Sequence, residues 1–166
     1  LARKVMGYIR EVAHAASAKL AEERGDFPNI ERSVYRGKRR RNATLTTIAP
    51  TGTISMIAGT TSGIEPVFSL VYTKNVLEGE QLLEVNPVFE AYVRQHFDAV
   101  RAESIFREVA RSGSCQQIEE IPLAMRRVFV TALEIAPVWH IRMQAAFQEY
   151  TDNAVSKTVN FPYTAT

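Results

Sequence analysis

Apolar residues recur every three or four positions at the start of the chain: Leu1, Val5, Ile9, Val12, Ala16 and Leu20, with Gly25 placed as a C′ residue. That spacing predicts an amphipathic helix over residues 1–24 with this stripe as its apolar side. Periodicity then lapses over residues 26–42, where Pro28, Gly37 and a basic run read as a surface connection. The β-branched run ATLTTIA at 43–49 stops at Pro50 and predicts a short buried strand. A Gly- and Thr-rich turn, a short helical piece around residues 55–58 and a second β-rich run, EPVFSLVY at 65–72, follow. Strand, loop, short helix, strand is an order expected of α/β or α+β architecture.

The remainder reads as helical. Asn86 and Pro87 form an N-cap and first-position pair before VFEAYVRQHF, and Asp98 caps a stretch that runs to Ser112 ahead of Gly113. Pro122 opens a further helix through Leu133, and Pro137 opens one to about Ser156. In that last helix Ile141, Ala145, Gln148, Asp152 and Val155 lie near one face, a polar pair on a largely apolar stripe. The closing KTVNFP reads as entry to a strand. There is no internal repeat and no low-complexity tract, so residues 1–166 are taken as a single piece of one domain.

Composition narrows the function classes. A chain of 166 residues, 46% hydrophobic, is of the size and kind that buries a core. A net charge of +2 gives no reason to expect nucleic-acid or membrane partners, and only RGKRRR at 36–41 is locally basic. A single cysteine, Cys115, leaves no disulfide framework and no thiolate zinc site, which fits a reducing, cytoplasmic setting. No apolar run approaches the roughly 20 residues a bilayer demands. With Leu1 rather than Met at its start, the sequence is expected to be a piece of something longer.

Candidate chemistry concentrates in PTGTIS. Thr51, Gly52, Thr53, Ile54 and Ser55 sit where a strand should give way to a helix, so unpaired backbone N–H groups and hydroxyls converge there. Gly52 would let an oxyanion approach without a Cβ in its way. The loop is neither a Walker A sequence nor GxGxxG. From spacing alone, phosphate binding and simple helix capping by Thr and Ser are balanced. Residues 59–63 (GTTSG) read more as a helix stop and turn, and Glu65 more as a structural acid than a functional one. His14, His96 and His140 have no second ligand at metal spacing, so no metal site is expected. Cys115 lies in a polar connection with nothing nearby to activate it.

Two blocks carry a resemblance beyond spacing. RNATLTTIAPTGTISMIAGTTSGIEPVFSLVYTKNVLEGE, residues 41–80, resembles the large chain of ribonucleotide reductases, most of all the adenosylcobalamin-dependent class. WHIRMQAAFQEYTDNAVSKTVNFP, residues 139–162, resembles the same class near the end of its catalytic barrel. The resemblance implies a helix-rich partial segment of a ten-stranded α/β barrel. It assigns Thr51, Gly52, Thr53, Ile54 and Ser55 to the substrate's phosphates, with Ile54 contributing its backbone N–H.

For the parent enzyme it implies reduction of ribonucleoside diphosphates by a cysteine thiyl radical made with adenosylcobalamin, and a thioredoxin-type reductant. The family's Asn-x-Cys-x-Glu pattern is absent here and Cys115 matches no family motif. No catalytic residue is therefore expected in this chain, nor cobalamin bound by it alone. Its partners would be the diphosphate substrate and the remainder of the reductase chain. Two other classes stay open: a non-catalytic nucleotide- or anion-binding module, and a helical interaction module whose hydroxyl-rich loop only caps a helix.

Overall fold

The computed structural model describes residues 1–75, 81–161 and 163–164. In chain order the elements are α1 (Ala2–Arg24), α2 (Gly52–Ile57), β1 (Val71–Asn75), β2 (Gln81–Val85), α3 (Pro87–His96), α4 (Ala99–Ser112), α5 (Leu123–Arg126) and α6 (Pro137–Gln148), with 3₁₀ turns at Ile30–Arg32 and Ala132–Glu134. They form two compact units, one joining Leu1–Ile64 to Pro137–Val159, the other comprising Glu65–Ala136 and Asn160–Thr166.

In the first unit α1 lies along α6, and Gly7 sits so near the Tyr150 ring that an added Cβ would stand 3.4 Å from its carbons. The buried side of α1 is Met6, Ser17 and Ala21, whereas Leu1, Val5, Ile9, Val12, Ala16 and Leu20 are exposed. Size explains the difference from the periodicity. Ser17 and Ala21 are small enough for residues 38–42 to close on the helix, so that the Arg41 N–H donates to the Ser17 carbonyl (3.1 Å) and Arg39 reaches the Ala21 carbonyl (3.1 Å).

The strand expected over 43–49 is reduced to one parallel bridge, Ile48 with Val155. Its two backbone bonds are Ile48 N–H to Ala154 O (3.2 Å) and Ser156 N–H to Ile48 O (2.8 Å). Nor does α6 reach residue 156. The Thr151 hydroxyl takes the Phe147 carbonyl (2.7 Å), and Asp152 leaves the helical path to meet buried partners. Of the stripe expected on this helix, Ile141 is exposed, and His140 and Ala146 are the side chains α6 buries. The expected strand entry at KTVNFP is without regular structure as far as it is described, and its Pro162 lies outside the described residues.

In the second unit β1 and β2 pair antiparallel, Val71 opposite Val85. The β-rich run at 65–72 becomes strand only from Val71, because Pro66 has no N–H to give a ladder and the Val67 carbonyl is taken by the Ala132 N–H (2.8 Å). The Asn86 side chain accepts from the N–H groups of Val88 and Phe89, with Pro87 at the first helical position, and Asp98 accepts from Arg101 N–H. Both helix starts stand where the sequence places them. The amphipathic α4 buries Ala102, Ile105, Phe106 and Val109 against Leu70, Val71, Phe89 and Val93.

The helix expected from Pro122 through Leu133 breaks after one turn. Phe129 enters the core, and Thr131 starts a new turn by a capping box, its N–H (2.6 Å) and hydroxyl (2.9 Å) both donating to the Glu134 carboxylate. Thr131-x-x-Glu134 is a legible start signal that periodicity overran.

Cys115 is fully buried, its thiol facing the Phe129 carbonyl (3.5 Å). Burial first, and Glu134 second, push the thiol up to about 11. At pH 8 the thiolate fraction is then a few hundredfold below that of an ordinary cysteine, so labelling of the native protein by a water-soluble disulfide reagent should be slower than in urea by more than about a hundredfold. Comparable rates would show that the thiol is open to solvent.

Candidate functional site

Thr51 to Ser55 form the start of α2, which begins at Gly52 rather than near residue 55 and follows no strand, and their hydroxyls do not cap it. Thr51 is the N-cap residue without a side-chain cap bond. Its N–H donates to Ser62 Oγ (3.1 Å), its hydroxyl lies 3.1 Å from the same oxygen, and its Oγ1 accepts the Gly63 N–H (3.0 Å). Ser55, buried, donates to the Gly52 carbonyl (2.7 Å). The three contacts of Thr51 close residues 51–63 into a loop fastened to itself. Gly59 and Gly63 adopt positive φ (63° and 54°), which fits the reading of GTTSG as a turn.

What the loop leaves open is backbone. The first intrahelical bond runs from Ser55 N–H to the Thr51 carbonyl (2.8 Å), so the N–H groups of Gly52, Thr53 and Ile54 have no acceptor within α2. All three residues are exposed, and nothing lies within 4 Å of where a Cβ on Gly52 would stand. At six residues α2 contributes little dipole, so the anion-holding capacity is that of three N–H donors and the Thr53 hydroxyl.

A second constellation, hardly visible in the sequence, lies at the base of this loop. Arg40 and Asp152 form an ion pair (3.0 Å) with side chains only 5% and 7% exposed. The Asp152 carboxylate also accepts the Leu45 N–H (2.8 Å) and stands 3.1 Å from His14 Nε2, while its own N–H donates to Thr46 Oγ1 (3.0 Å). Burial alone would raise the Asp152 carboxyl, but the Leu45 N–H, His14 and Arg40 together hold it below the usual carboxylate range. Arg40 further stacks over the Tyr35 ring at 4.0 Å and donates to the Asn42 carbonyl (2.7 Å). One arginine of RGKRRR is thus the buried centre of the unit rather than part of a solvated surface. Arg39 is tied to Asp26 (3.2 Å) and Arg36 to Glu31 (3.6 Å).

The other candidates are not drawn into either group. Glu65 is half-buried and engaged. His96 stacks on Tyr92 (4.3 Å) and His140 is buried 2.9 Å from Lys157 Nζ. Among the described residues no three His, Cys, Asp or Glu side chains converge as metal ligands, and no helix is long and apolar enough to cross a membrane.

Residues 36–166 match the family model described as ribonucleotide reductase, barrel domain. The chain belongs to the ribonucleotide reductase family. More particularly, it is 48% identical along its whole length to a vitamin B12-dependent ribonucleoside-diphosphate reductase of Mycobacterium tuberculosis, and equally so to one of Thermoplasma acidophilum. It spans 24% and 22% of those proteins, about a quarter of their length. Among solved structures, the class Id ribonucleotide reductase alpha subunit of Actinobacillus ureae superposes over 91% of this chain and 26% of its own, with a TM-score of 0.71 at 28% identity.

Proposed function

We propose that this chain is a segment of a cobalamin-dependent ribonucleoside-diphosphate reductase, and that its Thr51 to Ser55 loop holds the phosphates of the substrate. The observation that carries the reading is that the N–H groups of three exposed residues, Gly52, Thr53 and Ile54, have no acceptor within α2, with open space where a Cβ on Gly52 would stand. Thr51 and Ser55 serve the same end by spending their hydroxyls on the loop, leaving the N–H groups for the ligand. Consecutive N–H donors and an unobstructed glycine suit phosphate oxygens, and no lysine is required.

Radical chemistry belongs to residues outside this chain. Its one cysteine matches no family motif, and burial with a raised thiol makes it slow to exchange with a thioredoxin-type reductant. Adenosylcobalamin would supply the radical in the parent enzyme. The exposed stripe of α1 and the exposed Val138, Trp139, Ile141 and Met143 of α6 are faces the remainder of the reductase would cover.

The test is substrate affinity in the complete reductase. Thr53→Val removes a hydroxyl, and Gly52→Val puts a side chain into the open space, where its Cβ meets no atom within 4 Å. Losing one hydrogen bond to a charged phosphate costs about 1.5 to 3 kcal/mol, so affinity should fall by about tenfold to a hundredfold. A change below about threefold in both variants removes the phosphate role.

A further inference from the structure

We propose that Asp152 and Thr46 are positioning residues for nucleotide binding, setting the path by which the chain enters the Thr51 to Ser55 loop. The inference rests on the phosphate reading of that loop and adds two residues to it, neither of which would touch substrate.

The argument starts from how little regular structure fixes this stretch. Residues 43–50 make no strand, and among the described residues a single parallel bridge at Ile48 is their only ladder contact. Their place is set instead by residues 152–156, contact by contact. The Asp152 carboxylate accepts the Leu45 N–H, and the Asp152 N–H donates to the Thr46 hydroxyl oxygen. The Thr46 carbonyl takes the Asn153 N–H (3.0 Å), the Thr47 hydroxyl donates to Ala154 O (3.1 Å), and Ile48 bonds on both sides. Two residues past Ile48 the chain reaches Pro50, and the N–H of Thr51 is already fastened to Ser62. The far end of the loop returns over the same segment: a Cβ on Gly63 would stand 3.5 Å from the Ala49 carbonyl and from Ile48. Both ends of the candidate phosphate loop therefore rest on residues 45–49, and these rest on Asp152 and Thr46.

The clasp is stiff because it is buried and charged. Asp152 is held by Arg40 and by His14, and Thr46 is itself buried. A buried carboxylate aimed at a backbone N–H defines position more narrowly than apolar packing, because rotation or slippage leaves a charge unpaired. Binding through several backbone donors is sensitive to displacements of an ångström or less. A loosened clasp would therefore weaken nucleotide binding without altering any group that meets the nucleotide.

Thr46→Val deletes the acceptor of the Asp152 N–H at nearly constant volume, and Thr46→Ser restores it. Both are measured in the complete reductase beside Thr53→Val and Gly52→Val, using a ribonucleoside diphosphate and amide hydrogen exchange over residues 44–55. Thr46→Val should raise KM about threefold to tenfold with kcat within about twofold, and should speed exchange in that segment, while Thr46→Ser stays close to wild type. If Thr53→Val raises KM and Thr46→Val does not, positioning is overturned and the phosphate reading stands. If Thr53→Val, Gly52→Val and Thr46→Val all leave KM unchanged, the phosphate reading fails and this inference with it. A fall in kcat that tracks lost folded protein at unchanged KM would show a purely structural role and also overturns it.

Discussion

Asp152→Ala is expected to destabilise the first unit by about 3 to 5 kcal/mol, the cost of leaving a buried cation without its partner. Arg40, 5% exposed in its side chain, would keep its charge with the carboxylate gone, and the Leu45 N–H would lose its acceptor too. Arg3 with Glu149 is the useful contrast. That pair is 64% and 49% exposed, and removing it should have no clear effect, since water competes for both charges. Replacing both buried partners, Asp152→Asn with Arg40→Met, should recover part of the loss, because the penalty belongs to the orphaned charge rather than to the missing attraction. Denaturant-dependent hydrogen exchange at the amides of α1 and α6 reads each effect. A cost below about 1 kcal/mol for Asp152→Ala would mean that water reaches Arg40.

The same residue carries a pH signature. Its carboxyl is held below the ordinary aspartate value, so the native state gives up the proton more readily than the unfolded chain. The stabilisation is complete above the unfolded value of about 3.9 and is lost as pH falls through the lower native one. The difference in stability between wild type and Asp152→Asn should therefore shrink as pH falls below about 4. A difference that instead grows on acidification would contradict the lowered carboxyl.

Phe89→Ala should cost the second unit a similar amount, about 3 to 5 kcal/mol. Phe89 has no exposed surface, and its ring meets Phe106 (6.2 Å between centroids, 66° between planes) and Phe129 (5.0 Å, 72°) edge to face. Truncation removes both aromatic contacts and leaves a cavity among Leu70, Val93 and Ile105 that buried neighbours fill only in part. Phe89→Leu refills most of the space and should cost clearly less. Hydrogen exchange at α3 and α4 separates this loss from any change in the first unit. Equal costs for the two variants would indicate that the ring contacts, rather than the cavity, dominate.

How far these features could be read in advance depends on how local their causes are. Asn86, Pro87, Asp98 and Gly113 act within a turn of their own position, so the limits of α3 and α4 follow from the sequence. The Thr131 capping box is equally local, and its pattern stands in the sequence for a reader who weighs it above periodicity. The stripe on α1 misleads because periodicity shows that a helix has an apolar side, not which side this chain covers. Smallness at Ser17 and Ala21 decided that, through a segment 18 to 25 residues further on.

By itself the sequence determined the family, from long ordered blocks around PTGTIS and TDNAVSKTVNFP. It also determined the helix starts whose caps are written beside them, and the stretch in which to look for phosphate donors. Tertiary structure alone decided that Thr51 bonds Ser62 rather than capping α2, that residues 43–49 make one bridge rather than a strand, and that Arg40 meets Asp152 across 112 positions. The physical reason is range. Capping and turn chemistry are settled by neighbours along the chain, whereas a buried charge finds its partner only once distant segments have excluded water around both.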